Sequence, residues 1–136
     1  MGFAVVLMYM GLLGFSAMIS PGIGWSGEFI AMLPSPVTEY SHAPTYGLLT
    51  WLLTSGLRGR GWPQRYALLV AAVGAMVFGI WMEIFQGLVP GRAVDIGDVM
   101  VNGVGIGMAA LLILWRALPA DNAVEISPAR LRPPVI

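Results

Sequence analysis

From Tyr66 to Val89 the chain carries a single charged side chain, Glu83. As a helix this run extends roughly 36 Å, more than the roughly 30 Å of a bilayer's hydrocarbon core. Three further apolar runs accompany it, at about 3–20, 42–57 and 98–118. Inside hydrocarbon a backbone must satisfy its own N–H and C=O groups, so spans of this kind fold as helices. Charged residues make up only 10% of the chain and hydrophobic residues 57%, where a soluble domain is about one-quarter charged. The expected architecture is therefore all-α: an integral membrane bundle of four transmembrane helices in one domain, 1–118. A Pro-rich tail, 119–136, follows it.

The first run has no basic segment before it, which favours a retained span over a signal peptide. Gly11 and Gly14 could admit another helix, or be ordinary small residues of a membrane span. The second run is the shortest, and Pro44 suits its first turn, where a missing N–H costs nothing. Between these two runs, Trp25, Phe29, Met32 and Leu33 share one face at helical spacing. They make either a short interfacial helix in the first outer loop or a loop packed over the bundle. Four spans place Arg58, Arg60, Arg65, Arg116, Arg130 and Arg132 on one side and Arg92 on the other. By the positive-inside rule both termini and the tail are expected in the cytoplasm, with the protein in the inner membrane.

Function is expected where polar groups interrupt the hydrocarbon, since such groups are costly beside a membrane span. The stretch from Glu83 to Gly105 holds three of the seven acids, one arginine, a Pro-Gly turn and a Gly-x-x-x-Gly. Glu83 and Gln86 lie three apart, hence on one helix face, as do Asp98 and Asn102, four apart. His42 and Tyr46 stand one turn apart at the start of the second run. If the bundle is compact, His42, Tyr46, Glu83, Gln86, Arg92, Asp95, Asp98 and Asn102 converge at the outer ends of the spans. Arg92 is expected to pair with one or more of Glu83, Asp95 and Asp98, because an unpaired charge there is costly. Gly103 and Gly107, with Gly105 and Ala109, form a small-residue surface suited to close helix packing.

At these residues the sequence resembles the VanZ-like membrane proteins. The shared pattern is Glu83-x-x-Gln86, the turn Pro90-Gly91-Arg92, then Asp98, Asn102 and Gly105, preceded by His42-x-x-x-Tyr46. The family's Asp-Lys pair before that histidine is absent, since Thr38 and Glu39 stand there, and Asp95 occupies a position that is often Ser. The resemblance runs from His42 to about Leu118. It implies a small membrane protein acting at the outer face of the cytoplasmic membrane. The family takes its name from a protein linked to teicoplanin resistance, which points to the cell envelope.

Several roles stay open at this point. The polar cluster could be an interhelical latch, or a pocket in which the planar fork of Arg92 holds a phosphate or carboxylate of an envelope lipid or precursor. The chain could be an accessory or assembly subunit of a larger membrane complex, with Met8, Met10, Met18, Met76 and Met82 among the residues meeting a partner or a second copy. An enzyme on a lipid-linked substrate would use Glu83 or His42 as general base, yet no set of nucleophile, base and orienting group is visible. Four spans without an internal repeat argue against transport. No cofactor or metal is expected, with no Cys and one His, and no nucleic acid, with a net charge of zero.

Overall fold

The computed structural model describes residues 3–117. All regular structure among them is helical: α1 (Phe3–Ala17), α2 (Gly24–Met32), α3 (Ser35–Tyr40), α4 (His42–Arg58), α5 (Gln64–Gln86) and α6 (Ile96–Ala117). Two of these, α5 and α6, are long and apolar enough to cross a membrane. The first two expected spans appear as helices of 15 and 17 residues, or roughly 22 and 25 Å.

A helix of only 17 residues is the hub. α4 packs against α6, α5 and α1. Its hydroxyls make burial tolerable by turning back on the helix: Thr50 Oγ1 donates to the Tyr46 carbonyl and Thr54 Oγ1 to the Thr50 carbonyl, both at 2.8 Å. Where α4 meets α6, side chains give way to backbone. A Cβ on Gly105 would collide with the carbonyl of Ala43, and one on Gly47 would stand 3.0 Å from the Gly105 oxygen. Both helices lack a side chain at this point, so their backbones approach closely. A cluster of Tyr46, Leu49, Ala75 and Ile106 forms the buried core, with Tyr9, Leu13 and Phe78 packed around it.

α1 runs antiparallel to α4. Phe3 lies beside Gly56, the Tyr9 hydroxyl donates to the Thr45 carbonyl at 3.1 Å, and Ala17 comes down beside His42. The four long helices thus alternate in direction and give the bundle two unlike ends. One end gathers the starts of α4 and α6 and the finish of α5. The other gathers Arg58, Arg60, Arg65 and Arg116, where the Arg60 guanidinium sits 4.2 Å from the centre of the Phe3 ring. Gln64 closes that end by donating to the Ile113 carbonyl at 3.2 Å.

The ends of the helices depart from the sequence expectation for local reasons. α1 stops at Ala17, and Met18 and Ile19 tighten into turns onto Phe15 and Ser16 before Pro21. α5 stops at Gln86 rather than at Val89. Leu88 and Val89 bond to carbonyls three residues back, as happens when a following proline forbids the next helical turn. α6 starts two residues before Asp98, because Asp95 caps it: Asp95 Oδ1 accepts the Gly97 N–H at 2.7 Å.

The first inter-span segment forms two helices where one was expected. On α2, Trp25 is 86% exposed and Met32 80%, with Phe29 exposed as well. Three of the four residues of the apolar face seen in the sequence point away from the protein; Leu33, just past α2, is half-buried. α2 is held close because Gly27 has no side chain to strike the Ser20 carbonyl, and its own carbonyl accepts the Gly22 N–H at 2.8 Å. α3, with proline in its first turn, packs against α4 and α6. Arg130, Arg132 and the Pro-rich tail 119–136 lie outside the described residues.

Candidate functional site: a polar cluster behind an amphiphilic cavity

All eight polar residues singled out in the sequence meet at one end of the bundle. His42 opens α4, with Tyr46 one turn further in. Glu83 and Gln86 finish α5, and Asp98 and Asn102 lie in the first two turns of α6. Arg92 and Asp95 come from the connection between α5 and α6. That connection begins with a tight turn in which the Arg92 N–H reaches the Val89 carbonyl at 3.1 Å. Pro90 supplies its fixed φ at the second position and Gly91 a φ of +81° at the third, the pattern of a type II turn. The turn folds Arg92 back over the end of α5.

Glu83 is 3% exposed and both of its oxygens are occupied. Oε1 accepts the Asp95 backbone N–H at 2.6 Å. Oε2 receives the Gln86 amide nitrogen at 3.2 Å, in the amide orientation that also lets the Gln86 oxygen accept from Arg92 Nη1 at 3.0 Å. Arg92 therefore reaches Glu83 through Gln86 and not directly. The expected ion pair of Arg92 with Glu83, Asp95 or Asp98 does not form, because the Gln86 amide stands between guanidinium and carboxylate. Asp95 is turned to its own helix as the α6 cap.

The second half of the cluster joins α4 to α6. His42 Nδ1 lies 3.1 Å from the Asn102 side-chain oxygen, to which it donates. Its Nε2 lies 3.7 Å from Asp98 Oδ2, the one ion-pair contact among the described residues and one that needs a protonated ring. Asn102 is 1% exposed. It fits there because position 79 on α5 is glycine: an added Cβ would stand 2.9 Å from the Asn102 amide nitrogen and 3.0 Å from the Tyr46 ring. Gly79 was not singled out in the sequence. Its only signal was a glycine inside a strong helical run, four residues before Glu83. The Tyr46 ring is also buried, 6.3 Å from the His42 ring and nearly parallel to it.

The small-residue surface of α6 divides in the same way. Gly105 makes the close backbone approach to Ala43, Gly103 faces the end of the Met76 side chain at 3.3 Å, and Gly107 meets nothing within 4 Å.

In front of this cluster lies a cavity of about 250 Å³. Four of the eight residues line it: His42, Tyr46, Gln86 and Arg92. Glu83, Asp95, Asp98 and Asn102 do not, so no acid of the cluster lines the space that Arg92 faces. The opposite wall is apolar and comes from segments outside the polar motif. α1 contributes Leu13 and Ala17, α2 Ile30, the following loop Leu33, α3 Val37 and α5 Met82. Hydroxyls line the cavity too, but Ser16, Ser41 and Thr45 donate to the carbonyls of Leu13, Thr38 and Ser41. None of these three donates to His42. Among the described residues, no group of three or more acids and histidines could hold a metal ion.

An all-helical chain with two helices able to cross a membrane, and a polar cluster gathered at one end, has the character of a small membrane protein. The VanZ/LLP1 family model matches residues 3–117, and the chain belongs to that family. Comparison with curated proteins and with solved structures yields no match.

Proposed function

We propose that this VanZ-like protein is a four-span protein of the inner membrane, with both termini cytoplasmic. In this reading its outer-end cavity binds the anionic headgroup of an envelope lipid or lipid-linked precursor without chemically altering it. The observation that carries the reading is the sorting of charge around the cavity. Arg92 and His42 line the space and no acid of the cluster does: Glu83 is buried against the Asp95 N–H, Asp95 caps α6, and Asp98 lies beside His42 Nε2. A guanidinium with donors left over suits a phosphate or carboxylate. The facing wall of Leu13, Ile30, Leu33 and Val37 suits the hydrocarbon that follows such a headgroup.

Latch and pocket then belong to different residues of one cluster. Glu83, Gln86 and Asn102 hold α4, α5, α6 and the connecting turn together, and this scaffold fixes Arg92 and His42 where a ligand would meet them. Membership of the family, and the teicoplanin link of its namesake, supports the envelope as the place of action.

The test is purification of the full chain from native membranes in nanodiscs, with mass spectrometry of the retained lipid. The wild type should carry one enriched anionic or polyprenyl species. Arg92→Gln should lose that species about tenfold while the protein keeps its abundance and melting temperature. Equal lipid profiles for wild type and Arg92→Gln would sink the pocket. Stoichiometric co-purifying protein in place of lipid would favour an accessory subunit.

A further inference from the structure

The opposite end of the bundle holds a second arrangement that the polar cluster does not use. Arg58, the last residue of α4, and Arg116, in the last turn of α6, line one pocket of about 390 Å³. No carboxylate among the described residues lines it. The hydroxyls of Thr54 and Ser55, also in the wall, donate to the carbonyls of Thr50 and Trp51. The two guanidiniums are thus the charged side chains facing the space, and they offset the partial negative charge of the α4 and α6 C-terminal ends beside them. Gln64, the first residue of α5, completes the wall, and the start of that helix has no side-chain cap. An uncapped helix start adds partial positive charge.

This pocket does not end in the interior. Trp51 lines it and also lines an apolar groove of about 740 Å³ between α4 and α6. The groove runs from Pro44 past Leu48 to Trp51 on one side, and along Met108, Leu112 and Trp115 on the other. Its length along α4 is roughly 12 Å. It exists because Gly47 and Gly105 bring the two backbones together and leave no side chain standing above the seam. A cationic pocket and an apolar groove that share Trp51 in their walls match the two parts of one molecule, an anionic head and a hydrocarbon chain. Trp51 stands in both walls, and Trp115 lines the groove one residue before Arg116; indole rings commonly mark the level between headgroup and hydrocarbon.

We propose that the α4–α6 seam is a binding site for an anionic glycerophospholipid of the leaflet at the arginine end. Its phosphate lies between Arg58 and Arg116 and one acyl chain lies in the groove. The site is separate from the Arg92 cavity, so each can stand or fall alone. General attraction of basic residues to an anionic surface is the competing account, and it predicts that all four arginines of this end matter equally.

The full chain would be prepared with Trp51 as its one tryptophan, the other four replaced by Phe. It would be placed in phosphatidylcholine nanodiscs containing acyl-brominated phosphatidylglycerol or acyl-brominated phosphatidylcholine at equal mole fraction. Brominated phosphatidylglycerol should quench Trp51 severalfold more strongly. Arg58→Gln with Arg116→Gln should abolish the excess. Arg60→Gln with Arg65→Gln, the same charge loss beside the pocket, should retain it, as should Arg92→Gln. Equal quenching by the two lipids, or equal loss in both double variants, would overturn the proposal. If the single-tryptophan chain fails to fold, native mass spectrometry with all tryptophans present reads the same contrast. About tenfold less retained phosphatidylglycerol is then expected for the Arg58/Arg116 pair alone, and no difference between the pairs would again refute the site.

Discussion

Glu83 and Arg92 are nine positions apart and separated in space by one amide. Glu83 is buried and does not line the cavity, and its oxygens already take the Asp95 N–H and the Gln86 amide. Removing it strands the buried Gln86 amide and the part-buried Asp95 N–H, and a buried donor left unpaired costs about 1–3 kcal/mol. Glu83→Ala should therefore lower the thermal midpoint markedly and reduce the amount of folded protein. Glu83→Gln, which can still accept the Asp95 N–H, should lie between it and the wild type. Thermal melting followed by circular dichroism in detergent decides this. A Glu83→Ala protein as stable as the wild type would mean that the carboxylate is no latch. Arg92 is expected to behave in the opposite way, with little change in stability and a large change in bound lipid. Asn102 is the other buried polar anchor, and its place depends on the missing side chain of Gly79.

At the scale of the helices, the decisive contact is backbone against backbone between α4 and α6. Even a methyl group at position 105 meets the Ala43 carbonyl, which cannot move without moving the start of α4 and His42 with it. Gly105→Ala should cost about 1–3 kcal/mol, the usual range for overpacking. Gly107→Ala, two positions away with open space around it, should be neutral or stabilising by up to about 1 kcal/mol. The pair checks whether the seam, and not the glycine content of α6, holds the bundle; equal effects would contradict it. The small helices α2 and α3 have a different part. They complete the cavity wall through Ile30, Leu33 and Val37 while Trp25, Phe29 and Met32 face outward. Ile30→Asp should leave the polar cluster intact and still weaken retention of the enriched lipid, measured by the same mass spectrometry.

The whole molecule is a bundle with an acid-rich end and an arginine end. The proposed orientation places the arginine end in the cytoplasm. The chain has no cysteine, so single cysteines report position without interference. Ala93→Cys, in the turn beside Arg92, should react with an impermeant maleimide in intact cells. Trp62→Cys, in the basic turn, should react only after permeabilisation. The reverse pattern would invert the topology and move the Arg92 cavity to the cytoplasmic face.

The long apolar runs were readable residue by residue, because helical periodicity and the lack of charge are local properties. For the same reason Glu83 and Gln86 could be placed on one face, Asp98 near a helix start, and the Pro90-Gly91 turn between the two helices. Helix ends were less legible: nothing in the sequence marked the Asp95 carboxylate as the cap of α6. The partner of Arg92 could not be read at all, since choosing among three acids and an intervening amide depends on distances across helices. Nor could the apolar wall of the cavity, whose residues come from α1, α2 and α3, far from the polar motif in sequence. The sequence by itself determined a helical chain with its polar groups gathered at one end, because spacing and hydropathy act within single segments. Only the tertiary structure decided which of those groups face a cavity and which lie behind it. That sorting arises from the close approach of α4 to α6 at Gly47 and Gly105 and the space left at Gly79, contacts between residues distant in the chain.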